Sequence, residues 1–166
     1  MDEKFLGDSY DLVKRFFCET LGPIAKLYAH PKFVPPAICE RYTRVTKIPI
    51  YGSRPVDPFG ILLDPDKGVS LEAATRRHVS LNFIVGLLET DQPSYIVCYD
   101  QSFQRQGDKR KQMEAKIGFL AERRVTSFYY DSHASFLFAA HQGSTIDLIY
   151  KQFIAAGIPE DRLRRP

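Results

Sequence analysis

The chain reads as an α/β protein: a three-layer sandwich with a largely parallel central sheet and a C-terminal antiparallel hairpin. Three observations predict this. Short apolar runs such as "FGILLD", "SYIVCYD" and "VTSFYYD" are separated by amphipathic stretches of helical length, which favours parallel strands joined by crossover helices. The runs are apolar throughout rather than alternating, as strands covered on both faces are. "SFYYD" and "ASFLFAA" stand too close for a crossover, so that pair is expected to turn back as a hairpin.

Taken in order, "GDSYDLVKRFFCETLG" is a helix in which Asp8 or Ser9 caps the start, Leu12, Val13, Phe16, Phe17 and Leu21 form the apolar face, and Gly22 ends it. "IAKLYA" is a short strand closed by "HPKFVPP", and Pro35–Pro36 opens a helix through "AICERYTRV". "KIPIY" is a brief strand before the loop "YGSRPVDPFG". "FGILLD" is a strand. "LEAATRRHVSLNFIVGLLET" reads as one helix, because Val79, Phe83 and Leu87 recur every four residues. "SYIVCYD" is a strand, "DKRKQMEAKIGFLAERR" a helix with Met113, Ile117 and Leu120 on one stripe, and "VTSFYYD" a strand before "ASFLFAA". "STIDLIYKQFIAAG" is a last helix, capped by Gly157.

The 166 residues are enough for one domain, 1–166, with a core that needs no staples. Three widely spaced cysteines without a C-x-x-C pair suit reduced thiols in a cytoplasmic protein rather than a disulfide or zinc framework. "MDEKFLGDSYD" lacks the apolar run of a secretory signal, and no apolar segment reaches membrane length, so a membrane partner is not expected. Net charge is +3 but uneven: Arg105, Lys109, Arg110, Lys111, Lys116, Arg123 and Arg124 face three acids, Asp108, Glu114 and Glu122. Such a helix is either a solvated face or a contact for nucleic acid or a nucleotide.

Three strands finish in aspartate: Asp64, Asp100 and Asp131. On parallel strands these acids share the C-terminal edge of the sheet, where open α/β proteins hold their ligands, and there they are expected to be exposed. Asp66 follows Asp64 across Pro65. Crowded carboxylates need a cation, a proton or a basic side chain. Asp64, Asp66, Asp100 and Asp131 are therefore the expected ligands of Mg²⁺ or Mn²⁺, hard ions that take oxygen. Structural capping is the competing account of the same acids.

Around them, Asp64, Asp66, Lys67 and His133 are the catalytic candidates, with Lys67 as a transition-state cation and His133 as a general base or phosphate contact. His133 reads equally well as a turn residue satisfied by Asp131. Gln101, Arg105, Lys109 and Ser132 are the candidates for substrate binding. On the first helix, Asp8, Asp11 and Arg15 share a face and Lys14 lies three past Asp11. These are either an acid pair and a cation delivered to the same edge or a cap with a surface ion pair.

The stretches "GDSYDLVK", "LLDPDKG", "YDQS" and "SHASFLF" together resemble a family of uncharacterised bacterial proteins with a G-D-x-x-D-x-x-K start, a D-P-D-x-G strand end and a terminal hairpin. That resemblance carries no catalytic assignment. "LLDPD" and "FYYDSHASFLFAA" are more distantly similar to methyltransferase-like α/β proteins, which implies an acid-proline strand end facing the substrate and a hairpin closing the sheet. Where those proteins carry a glycine-rich turn for S-adenosylmethionine, this chain has "HPKFVPP". The leading expectation is a divalent-metal-dependent phosphodiesterase or nuclease. The alternatives are a methyltransferase-like transferase with an altered cofactor loop, and a non-catalytic nucleic-acid or nucleotide-binding module.

Overall fold

The computed structural model describes residues 6–71, 77–104 and 107–165. It is a mixed α/β fold built on a six-stranded sheet. Helix α1 (Ser9–Leu21) starts on Asp8, whose carboxylate accepts from the Tyr10 and Asp11 N–H groups. Then follow β1 (Lys26–Ala29), α2 (Cys39–Thr46), β2 (Phe59–Leu63), β3 (Gly68–Ser70), β4 (His78–Ser80), α3 (Leu81–Thr90) and β5 (Tyr95–Asp100). The C-terminal part is α4 (Lys109–Ala121), β6 (Thr126–Tyr130), β7 (Ser135–Ala140), α5 (Gly143–Ala155) and the short β8 (Leu163–Arg164).

The strand order is β1-β2-β5-β7-β6-β8. β1, β2 and β5 are parallel neighbours, while β7 runs antiparallel to both β5 and β6. The expected hairpin is therefore present, and its second strand inserts between β5 and β6. Neighbours β2 and β5 pair Leu63 with Cys98, so their C-terminal ends, and the acids on them, reach the same edge.

Side chains alternate along the strands between two buried clusters. Leu62, Val97, Tyr99, Phe136 and Phe138 pack with Phe17 and Leu21 of α1, Tyr42 of α2 and Phe153 of α5. Ile61, Leu63, Ile96, Cys98 and Leu137 pack with Ile84 and Leu88 of α3 and with Met113, Ile117 and Leu120 of α4. This alternation decides which way each strand-end acid points.

Two sequence readings change. The single helix expected over "LEAATRRHVSLNFIVGLLET" begins only at Leu81. His78–Ser80 is extended and pairs in parallel with Gly68–Ser70, and Ser80 accepts from the Phe83 N–H as the true N-cap. A serine inside an apolar run supplied that cap, and four-residue recurrence did not register it. The residues 72–76 of that run lie outside the described residues. "KIPIY" contributes one parallel bridge, Ile50 to Ala29, not a strand. β8, on the outer side of β6, was not expected.

Candidate functional site: lysines buried against strand-end aspartates

The strand-end acids are not exposed. Asp64 is 4% and Asp100 0% accessible. Each meets a lysine from the buried stripe of a helix, and the two meetings occur on opposite faces of the sheet.

On the α1 face, Lys14 Nζ lies 2.6 Å from Asp64 Oδ2 and 2.8 Å from Asp11 Oδ1. Asp11 Oδ2 accepts from the Gly7 N–H at 2.6 Å. The α1 stripe Asp11, Lys14, Phe17 and Leu21 is wholly buried, so the same periodicity that packs the helix carries an acid and a cation to the end of β2. Burial alone would lower the Lys14 pKa. Asp64 and Asp11 together outweigh it and leave the ammonium raised above its ordinary value. Two carboxylates face one ammonium here. The N-terminus of α1 adds roughly half a positive charge, so negative charge remains in excess in a dry site. Beside it, Tyr42 is fully buried and its hydroxyl has no hydrogen-bond partner among the described residues. Burial pushes that phenol well up, with Asp64 and Asp11 adding to the effect.

On the α4 face, Asp100 is saturated. Its Oδ1 accepts from the Val69 N–H at 2.9 Å, the Ser102 N–H at 3.0 Å and Ser102 Oγ at 2.6 Å. Its Oδ2 accepts from Lys116 Nζ at 2.6 Å and Tyr129 Oη at 2.7 Å. Lys116 also reaches Ser102 Oγ at 2.9 Å, and the single Ser102 hydroxyl proton has two acceptors within reach, Asp100 Oδ1 and the Val69 carbonyl. Gly68, at φ +112°, is needed here: a Cβ would sit 2.7 Å from Asp100 Cα. A cavity of about 300 Å³ opens beside this hub, lined in part by Ser70, His78, Ser102, Gln104, Gln112 and Lys116.

The other candidates fall around the same edge. Asp131, just past β6, holds Lys109 Nζ at 2.7 Å, and Arg164 approaches it at 3.4 Å. Lys109 also donates to the Ser132 carbonyl. Gln101 Nε2 donates to Tyr10 Oη at 2.9 Å and to the His133 carbonyl at 3.3 Å, which ties the hairpin turn to α1. His133 is exposed beside Tyr10, their ring centroids 6.3 Å apart. Asp66 and Lys67 are exposed in the turn after β2. Arg105 lies outside the described residues.

The ligand set expected of Asp64, Asp66, Asp100 and Asp131 is thus divided. Asp64 points toward α1, while Asp100 and Asp131 engage lysines of α4. Among the described residues no group of three or more His, Cys, Asp or Glu is arranged to hold a metal ion. Arg15, expected on the face of Asp11, pairs instead with Glu19 at 3.0 Å. What the sequence reading left out is Lys116 and Tyr129 as members of the site, while delivery of Asp11 and Lys14 to the sheet edge, one of its two alternatives for the first helix, is the arrangement found. The signal was available: a lysine inside an otherwise apolar helical stripe, opposite a strand that ends in an acid. The basic helix is also less free than its composition implies, because Arg110 pairs with Glu114 and Arg123 with Glu122. Among the described residues no helix is long and apolar enough to cross a membrane.

No family model matches the chain, and neither a curated protein nor a solved structure does.

Proposed function

We propose that the chain is a divalent-metal-dependent phosphodiesterase acting on a nucleic acid or nucleotide, with Asp11, Lys14 and Asp64 as its chemical centre. One observation carries the reading. "GDSYDLVK" and "LLDPD", fifty residues apart, converge on a single buried constellation of two carboxylates and a lysine that retains excess negative charge. A cation offsets that charge directly. Mg²⁺ or Mn²⁺ held by Asp64 and Asp11 would lower the pKa of a bound water and draw charge from the phosphate oxygens. Lys14, held between the two carboxylates, would supply positive charge toward a phosphate oxygen, and the exposed Asp66 and Lys67 stand on the turn just past Asp64. The three-layer arrangement of helices about the sheet belongs to this proposal and is supported by the alternation of strand side chains between two helix-covered clusters.

A binding module without chemistry is the second reading, favoured by the cavity beside Lys116 and Ser102, where every atom of the Asp100 hub is already satisfied. The transferase alternative has less support: after β1 the chain turns through Pro31–Phe33 onto the buried Phe33 and Val34, side chains where a cofactor needs close backbone approach. The test is cleavage of labelled oligonucleotides and of an activated phosphodiester in Mg²⁺, Mn²⁺ or EDTA. Metal-dependent cleavage lost in Asp64→Asn supports the phosphodiesterase. Cleavage unchanged in that variant removes it, and nucleotide binding indifferent to EDTA without cleavage favours the module.

A further inference from the structure

The sheet edge formed by β1 carries an aromatic surface with no part in the site above. α3 and α4 pack against β4, β5 and β6, whereas β1 is the outermost strand of the sheet. On the α3 side of β1, Tyr28 projects with its ring 6.4 Å from Tyr51 and 6.5 Å from Phe59, and Tyr51 stacks on Phe59 at 5.6 Å with 16° between planes. Two residues on, His30 lies 5.7 Å from both Phe33 and Phe83. Tyr28, His30, Tyr51 and Phe83 are half-buried, so their rings are held in place by the core yet reach solvent. Exposed cations rim them. Lys26 Nζ is 5.3 Å from the Tyr28 centroid and Lys32 Nζ 4.5 Å from that of Phe83, while Arg54 reaches Gln92 at 3.0 Å and lies close enough to bear on the Tyr51 phenol. Asp91, the acid that bears on both Tyr51 and His30, accepts from the Thr90 hydroxyl at 3.1 Å.

We propose that this face binds single-stranded nucleic acid, with bases stacked on the Tyr28–His30 strip and phosphates met by Lys26, Lys32 and Arg54. Rigid, partly exposed rings flanked by mobile cations are what a single strand requires. Every base offers a π-face, and an exposed lysine that now lies over a ring can swing to a phosphate. A duplex keeps its bases stacked inside and cannot use the rings. An apolar protein partner would have to bury three cations, which is costly. The proposal stands independently of whether Asp11, Lys14 and Asp64 cleave anything.

The test is fluorescence anisotropy of the full chain with a labelled ten-nucleotide oligothymidylate in EDTA, so that no cleavage intervenes. Tyr28→Ala is expected to weaken binding about tenfold or more, and Tyr28→Phe to retain it. Lys26→Gln and Lys32→Gln, both at exposed positions, are each expected to reduce the slope of log affinity against log salt by about 0.7. These two variants read the face even if Tyr28→Ala fails to fold. Absence of wild-type binding at low salt, an unchanged affinity in folded Tyr28→Ala, an unchanged salt slope in both lysine variants, or duplex bound as tightly as single strand would each overturn the assignment.

Discussion

Replacing Lys116 by methionine tests whether the strand-end acids depend on buried lysines. The side chains of Lys116 and Asp100 are 5% and 0% accessible, and 2.6 Å separates their charges. At an effective dielectric of 20 the gross Coulomb term is about 6 kcal/mol, most of it offset by the cost of drying both ions. Methionine keeps the apolar stem but strands the carboxylate, and breaking a buried pair in that way costs about 3–5 kcal/mol. Asp100 retains donors from Val69, Ser102 and Tyr129, so the lower end, about 3 kcal/mol, is expected. For a chain of this size that corresponds to a melting point lower by roughly 6–12 °C. Urea denaturation should show the loss in the midpoint with the slope unchanged. The double variant Asp100→Asn/Lys116→Met should recover at least about 1 kcal/mol of it, since neutral Asn no longer needs the ammonium. A loss under about 1 kcal/mol in Lys116→Met, or a double variant no better than the single, would refute the reasoning.

Three further outcomes follow from the same geometry. Stability should fall as pH rises above about 10. Lys14 and the phenols of Tyr42, Tyr99 and Tyr129 all keep their protons to higher pH in the folded chain than in the unfolded one, so their contribution is present below the unfolded values and lost on the alkaline side. Urea midpoints between pH 8 and 11.5 measure it, and a flat profile would contradict the raised values. Gly68→Ala should destabilise by at least about 2 kcal/mol, because it combines a left-handed backbone with a Cβ driven against the Asp100 backbone, and thermal melting reads the loss. Tyr42→Phe removes a buried hydroxyl that has no partner among the described residues, so denaturation should find it neutral or stabilised by up to about 1 kcal/mol, unlike most core changes.

The sequence made the sheet legible where strands are continuous apolar runs, as at Phe59–Leu63 and Tyr95–Asp100. It also made legible the common edge of Asp64 and Asp100, since crossover helices force parallel strands. Which face each acid points to was not legible. That depends on the parity of the last strand residue relative to the core: Asp64 follows the in-phase Leu62 toward α1, and Asp100 follows Cys98 toward α4. The helix pattern was read for apolar residues alone, so Lys116 passed as a surface charge and Lys14 stayed open between a surface ion pair and delivery to the sheet edge, although both sit in buried stripes. Long aliphatic stems let lysine occupy such a position when an acid waits at its tip. The β3–β4 pair was hidden for another reason: three-residue strands carry too little pattern to compete with a helical reading.

Calorimetric titration of Mn²⁺ into the wild-type chain and into Asp64→Asn bears most directly on the proposed centre. The account predicts a saturable site in the wild type, binding weakened at least about tenfold in the variant, and an unchanged response in Lys116→Gln on the opposite face. Equal Mn²⁺ affinity in wild type and Asp64→Asn, or no binding to either, would contradict it.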